Sequence, residues 1–305
     1  MDDTPSVALP ADASPGIPRQ PPAPTLIGER RFTWGERTYV MGILNVTPDS
    51  FSGDGLLARA DDAVEAALAE GQRMVAAGAD ILDVGGESSR PGHEPVSEDE
   101  ELRRVVPVVR ALSEALPDVP LSVDTTKHRV AVAAFDAGAD MINDVWGVGA
   151  DDALARLAAE RGAPLVVMHN RSQARYASVL AEVIADLARA VERALALSVD
   201  FDNLIVDPGI GFGKTAEQNL LLLRQLSALR CLGRPILLGT SRKSTIGKVL
   251  DLPAGERLEG TLATTVLGVA NGADIVRVHD VAANVRAARM SDAVVRGAWR
   301  EEGSR

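Results

Sequence analysis

An α/β fold of the (β/α)8, or TIM-barrel, type is predicted by three observations. Short apolar runs alternate eight times with longer, Ala-rich amphipathic stretches, the pattern of βαβ units around a parallel sheet. The alternation spans about 260 residues, the length such a barrel needs. Three runs share a lead-in, Ala77-Gly78-Ala79-Asp80, Ala137-Gly138-Ala139-Asp140 and Asn271-Gly272-Ala273-Asp274. The Gly suits the left-handed position that ends a helix, and an apolar strand starts straight after the Asp. An open doubly wound sheet is the competing architecture. It is disfavoured because no Gly-x-Gly-x-x-Gly follows the first strand.

In chain order, residues 1–28 hold seven prolines among Ala, Asp and Ser. Such a segment buries too little apolar surface to offset ordering and reads as a disordered Pro-rich tail. Residues 29–300 form the folded domain. Arg31–Tyr39 reads as a hairpin around Gly35 that plugs the bottom of the barrel. Strands are expected at 40–45, 80–84, 120–124, 140–144, 164–168, 204–207, 235–239 and 274–278. Helices are expected near 61–77, 97–115, 127–137, 151–161, 178–197, 215–230, 256–271 and 281–297.

Composition narrows the function. Aromatic residues make up only 3% of the chain, so the core must be mostly aliphatic, as in packed parallel strands and helices. A net charge of −11 disfavours nucleic acid or an anionic membrane as the main partner. The single cysteine, Cys231, permits no intramolecular disulfide or zinc cluster, and in a helical stretch it reads as a packing residue. No secretory signal or membrane span is legible, so a cytoplasmic protein is expected. Trp34 and Trp146 read as packing residues, His93 and His128 as surface residues.

In such a barrel the chemistry lies where the strands end. Here every strand ends polar: Asn45, Asp83, Asp124, Asn143-Asp144, Met168-His169-Asn170, Asp207, Ser241-Arg242-Lys243-Ser244, and Arg277 with His279. Taken singly, Asp124 or Asn143 reads as a cap. Eight together read better as one pocket. Arg277 and His279 lie two apart, so both side chains point the same way and offer donors suited to a phosphate. Asn45 beside them can offer a hard oxygen to Mg2+. The plainer alternative is that Arg277 pairs with a neighbouring carboxylate. Asp124, Asn143, Asp207 and Lys243 match the donors and acceptors of an aminopyrimidinone ring; the plainer alternative is an interior ion-pair network. In Asp207-Pro-Gly-Ile-Gly-Phe-Gly-Lys214 an acid stands at a strand end beside a glycine loop, with Phe212 and Lys214 as a neighbouring ring and cation. The long loops after the first two strands can close as lids.

Seven segments carry a resemblance: Leu44–Phe51, Gly85–Gly92, Ser122–Thr125, Ile142–Asp144, Asp207–Lys214, Ser241–Ser244 and Arg277–Asp280. In this order they resemble dihydropteroate synthase, of the pterin-binding barrel superfamily. Two details differ from the family's common forms: Ser88-Ser89-Arg90 in the second loop, and Ser52-Gly-Asp-Gly55 after the first.

The resemblance implies a transferase that joins (7,8-dihydropterin-6-yl)methyl diphosphate to 4-aminobenzoate in folate synthesis, releasing pyrophosphate. Sulfonamides are expected competitors, Mg2+ the cofactor and a homodimer the assembly. Asp124, Asn143, Asp207 and Lys243 would hold the pterin, lined by Met168 and Phe212. Asn45, Arg277 and His279 would hold diphosphate, with Asn45 on the metal. Ser89, Arg90, Pro91 and Ser244 would shape the aminobenzoate site. Lys243, Arg277 and His279 are assigned to catalysis. The alternatives are a methyltetrahydrofolate-dependent methyltransferase on the same barrel and a non-catalytic pterin-binding paralogue.

Overall fold

The computed structural model describes residues 21–46, 60–87, 96–147, 152–297 and 299. Strands β1 (Thr25–Ile27) and β2 (Arg30–Phe32) form an antiparallel hairpin. Eight parallel strands follow: β3 (Tyr39–Asn45), β4 (Ile81–Gly85), β5 (Leu121–Asp124), β6 (Met141–Asp144), β7 (Leu165–Met168), β8 (Leu204–Asp207), β9 (Leu237–Leu238) and β10 (Ile275–Val278). Their order is β8-β7-β6-β5-β4-β3-β10-β9. A parallel bridge between Val206 and Ile236 brings the two edges together and closes the barrel.

Helices α1 (Ala60–Ala76), α2 (Glu98–Ala115), α3 (His128–Asp136), α4 (Ala153–Arg161), α5 (Val179–Ala196) and α6 (Ala216–Arg224) follow β3 to β8 in turn. Two more, α7 (Ser244–Leu250) and α8 (Leu258–Ala270), separate β9 from β10, and α9 (Val281–Val295) comes last. The starts are encoded locally. Ser97 caps α2 by accepting from the Glu100 amide, and Thr215 and Gln218 form a capping box on α6.

The shared lead-in has a common geometry. Gly78, Gly138 and Gly272 have φ of 101°, 110° and 95°, a conformation costly for a residue with a Cβ. The following Asp stitches the neighbouring strand. Asp80 accepts from Val40 N at 2.9 Å, Asp140 from Leu121 N at 2.8 Å, and Asp274 from Ile236 N at 3.0 Å.

Two apolar clusters make the core. The outer one lies between strands and helices and is almost wholly Ala, Val, Leu and Ile. The inner one fills the barrel's lower interior with Met41, Ile81, Met141, Val166, Ile205, Leu237 and Ile275, closed from below by Ile27, Phe32, Trp34 and Tyr39. The aromatic plug is tight: the Phe32 and Tyr39 rings lie 4.6 Å apart, and Trp34 meets Tyr39 edge-on at 5.5 Å. Trp34 Nε1 donates to Thr25 Oγ1. Burying each such ring contributes about 1.5–3 kcal/mol. Along each strand the period of two puts the next inward positions one layer up. These are Ile43, Asp83, Asn143, Met168, Asp207, Gly239 and Arg277. The strands thus carry an apolar floor and, directly above it, a mostly polar layer.

Several expectations need correction. The hairpin turns at Gly28 (φ 58°), not Gly35, because two glycines seven residues apart offer the same turn and Thr25–Ile27 supplies the better partner strand. That strand falls inside the stretch assigned to the tail, so folded structure begins before residue 29. The helix expected over 215–230 ends at Arg224 and continues as a 3-10 helix, Leu226–Leu232. Helix α7 was not expected; it is only 7 residues long and contains Gly247. Cys231 is exposed on the 3-10 helix and does not pack. Trp34 is buried, but Trp146 is 56% exposed beside the mouth. His128 is exposed as expected, and His93 lies outside the described residues.

Candidate active site

Four residues of the polar strand ends form one connected network. Arg277, on β10, reaches across the barrel to two carboxylates: Nε donates to Asp83 on β4 at 2.5 Å and Nη2 to Asp124 on β5 at 2.6 Å. The same Asp83 oxygen accepts from Asn143 Nδ2 on β6 at 3.1 Å. Asp83 is fully buried, and its second oxygen has no partner among the described residues. On the opposite side a Cβ placed on Gly239 would lie 3.8 Å from Lys243 Nζ, 3.9 Å from Arg277 Cβ and 4.0 Å from Asp207 Oδ2. Asp207, Lys243 and Arg277, which follow or end β8, β9 and β10, therefore surround one point beside Gly239.

Above this layer opens a cavity of about 340 Å3, lined by Asn45, Phe212, Gly239, Ser241, Lys243, Ser244, Arg277 and His279 among others. Asp207 is fixed by its own loop, with Gly209 N donating to Oδ1 at 2.6 Å. Lys243 Nζ donates to the Ile210 carbonyl and stands 4.5 Å from the centre of the Phe212 ring. Ser241 Oγ accepts from the His279 backbone N–H at 3.1 Å and is hydrogen-bonded to His279 Nδ1 at 2.9 Å, which orients the ring. Arg242, at φ 57°, is held by Thr261, by Arg257 and by an ion pair with Asp280. This sets the backbone just before Lys243.

Burial tunes these groups. It pushes Asp124 up to about 7; Arg277 opposes the shift, and Asp83 adds to it. Burial also raises Asp207, against the pull of Lys243 and the Gly209 amide. Lys243 is lowered to about 8 by burial, opposed by Asp207. Burial works against the Arg277 charge, but Asp83 and Asp124 outweigh it and raise its pKa. Near neutrality the site thus holds one firm cation, one tunable amine and a carboxyl able to switch between donor and acceptor. Such a set matches a flat ring with amide-like edges and leaves donors over for an anion.

A family model described as pterin binding enzyme matches residues 41–279. A dihydropteroate synthase of Clostridium beijerinckii is 51% identical over 271 residues, covering 88% of this chain and 99% of the relative. A Clostridium difficile dihydropteroate synthase, solved in the presence of pteroic acid, superposes with a TM-score of 0.83 at 49% identity, covering 87% of this chain and 99% of that one. The chain belongs to the dihydropteroate synthase family. A further member, from Yersinia pestis and solved with a sulfonamide drug, superposes with a TM-score of 0.82 at 40% identity, covering 89% of this chain and 99% of that one.

Against the residues expected for this family, Asn45, Phe212, Lys243, Ser244, Arg277 and His279 share the cavity. Asp124, Asn143, Met168 and Asp207 are buried at the strand ends around its floor. Ser89, Arg90 and Pro91 lie outside the described residues, as do 47–59 of the first loop and the whole of 88–95 in the second. Arg277 lines the cavity and also pairs with Asp83 and Asp124. Two buried carboxylates without a cation would be strongly unfavourable, and Arg277 supplies that cation, joining the two groups of residues. Asp83 is legible in the sequence only as a polar strand end; the cross-barrel contacts with Arg277 and Asn143 give it a role. Lys214 does not line the cavity.

Proposed function

We propose that this chain condenses (7,8-dihydropterin-6-yl)methyl diphosphate with 4-aminobenzoate, giving 7,8-dihydropteroate and pyrophosphate for tetrahydrofolate synthesis. The observation that carries this reading is the meeting of Asp207, Lys243 and Arg277 around Gly239, with Asp83, Asp124 and Asn143 in the same network. A methyltransferase on this barrel would need the ring-binding acids but not the cationic wall of Lys243, Arg277 and His279.

In this reading Asp207, Asn143 and Asp124 meet the ring's donor and acceptor edge, with Met168 and Phe212 against its faces. Unpaired buried groups would reject other heterocycles. The diphosphate leaves from a methylene conjugated to an electron-rich ring, so departure can precede attack and the pterin delocalises the cation. 4-Aminobenzoate brings a neutral amine as nucleophile, so no strong base is required. The protein's contribution is to position both rings and to stabilise charge on the departing anion through Lys243, Arg277 and His279. Ser244, with Ser89, Arg90 and Pro91, would receive the aminobenzoate, where sulfonamides would compete.

Mg2+ would lie beside Asn45. Among the described residues there is no group of three or more His, Cys, Asp or Glu able to hold a metal. The ion would be held by one neutral side-chain oxygen and otherwise by substrate oxygens and water. When bound, it neutralises charge on the diphosphate. A homodimer is supported by the exposed Val266, Leu267, Met290 and Val294 on α8 and α9; a monomeric mass in sedimentation would contradict it. The reading also places the protein in the cytoplasm. No helix among the described residues is long and apolar enough to cross a membrane. Pyrophosphate release on mixing both substrates with Mg2+ tests the proposal. Release only when both are present supports it; none, with intact pterin binding, supports a non-catalytic paralogue.

A further inference from the structure

The loop after β8 contains a lysine that the reaction does not use. Lys214 Nζ lies 2.8 Å from His169 Nδ1, 2.9 Å from the carbonyls of Gly209 and Phe212, and 3.3 Å from that of His169. His169 is itself buried, and its Nε2 lies 3.1 Å from Asp186 Oδ2. Arg171 holds that same carboxylate oxygen through Nε and Nη2, at 3.0 and 2.6 Å. A carboxylate accepts, so Nε2 carries the ring proton and Nδ1 accepts. The three N–H groups of an ammonium then meet three acceptors: Nδ1, Gly209 O and Phe212 O.

What this ammonium holds is the platform of the site. Gly209, Gly211 and Gly213 all have positive φ, and the loop lies directly on the segment after β7. A Cβ on Gly209 would come within 1.9 Å of His169 O, and one on Gly213 within 2.0 Å of Arg171 O. The loop's amide at Gly209 fixes Asp207, its carbonyl at Ile210 receives Lys243, and its ring at Phe212 faces the Lys243 amine. Tyr176 pins the far end by donating to Gly213 O at 2.9 Å.

We propose that Lys214, backed by His169 and Asp186, is a positioning residue that gathers the loop's carbonyls and so presents Asp207 and Phe212 to the pterin ring. Burial lowers the amine to about 7, and carbonyl acceptors favour its charged form. Burial, with Lys214 adding to it, lowers His169 to about 4, so its ring is neutral and able to accept near pH 7.

This inference rests on the pterin-binding reading, and the controls separate the two. Titration calorimetry with 6-hydroxymethyl-7,8-dihydropterin and, separately, with pyrophosphate and Mg2+ is run on wild type, Lys214→Met, Lys214→Arg and Tyr176→Phe, each with a melting curve. Lys214→Met should weaken the pterin Kd tenfold or more and the pyrophosphate Kd, felt only through Lys243, by a clearly smaller factor; Lys214→Arg should recover part of the loss. A folded Lys214→Met with an unchanged pterin Kd, or with both Kd values weakened alike, overturns the proposal. If Lys214→Met shows no cooperative melt, Tyr176→Phe decides. A two- to threefold loss confined to pterin supports the proposal, and no change overturns it. Absence of pterin binding by the wild type refutes the functional reading instead.

Discussion

Replacing Arg277 with Met removes the guanidinium that stands between Asp83 and Asp124 while keeping a side chain of similar reach. Both carboxylates are buried, and the arginine side chain is only 14% exposed, so solvent cannot take its place. Breaking a buried pair from one side costs about 3–5 kcal/mol. At roughly 2 °C per kcal/mol for a chain of this size, Tm should fall by about 6–10 °C at pH 8. The sign of the pH dependence follows from Asp124. Its folded pKa is already raised to about 7 by burial, with Arg277 opposing the shift, and without Arg277 it rises further. A carboxyl raised in the folded state destabilises the fold most when pH is above that pKa. The penalty is relieved as pH falls and the proton is taken up. Arg277→Met should therefore lose much less stability at pH 5.5 than at pH 8, measured by urea unfolding at both. Equal losses at the two pH values, or none, would refute the idea that Arg277 neutralises the two acids.

Asp207→Asn should weaken dihydropterin binding about 10- to 100-fold, the size of a lost hydrogen bond to a charged group; unchanged affinity by calorimetry would remove its role. His279→Ala should lower kcat by about 100-fold or more, as losing a donor to a developing anion does, while pterin affinity stays within a few-fold. The profile of kcat/KM against pH should fall on its alkaline side near 8 as Lys243, lowered there by burial, loses its charge. Lys243→Arg, if active, should carry that limb to higher pH; an unmoved limb assigns it to another group.

Much of the barrel is legible because its signals are local. Gly78, Gly138 and Gly272 end helices in the left-handed conformation, and Asp80, Asp140 and Asp274 bind the neighbouring strand's amide, so the lead-ins mark three strand starts correctly. The period of two then carries Asp83, Asn143, Asp207 and Arg277 to the same inward layer. Features decided by packing are less legible. Gly28 and Gly35 look equally good as hairpin turns until Thr25–Ile27 finds its partner. No Gly or Pro marks the change from α6 to the 3-10 helix. The bridge from Arg277 to Asp83 and Asp124 joins three strands distant in the chain, and no spacing encodes it. Lys214 reads as a cation beside the ring site, whereas three left-handed glycines turn the loop's carbonyls toward its amine.

The claim on which the rest depends is that one cavity serves both the ring and the departing anion. A crystal structure with 6-hydroxymethyl-7,8-dihydropterin, pyrophosphate and Mg2+ addresses it directly. The ring is predicted against Asp124, Asn143 and Asp207, with pyrophosphate beside Asn45 and His279 at the same rim. Ring and anion bound in separate cavities, or a ring that leaves Asp207 and Asn143 uncontacted, would contradict it.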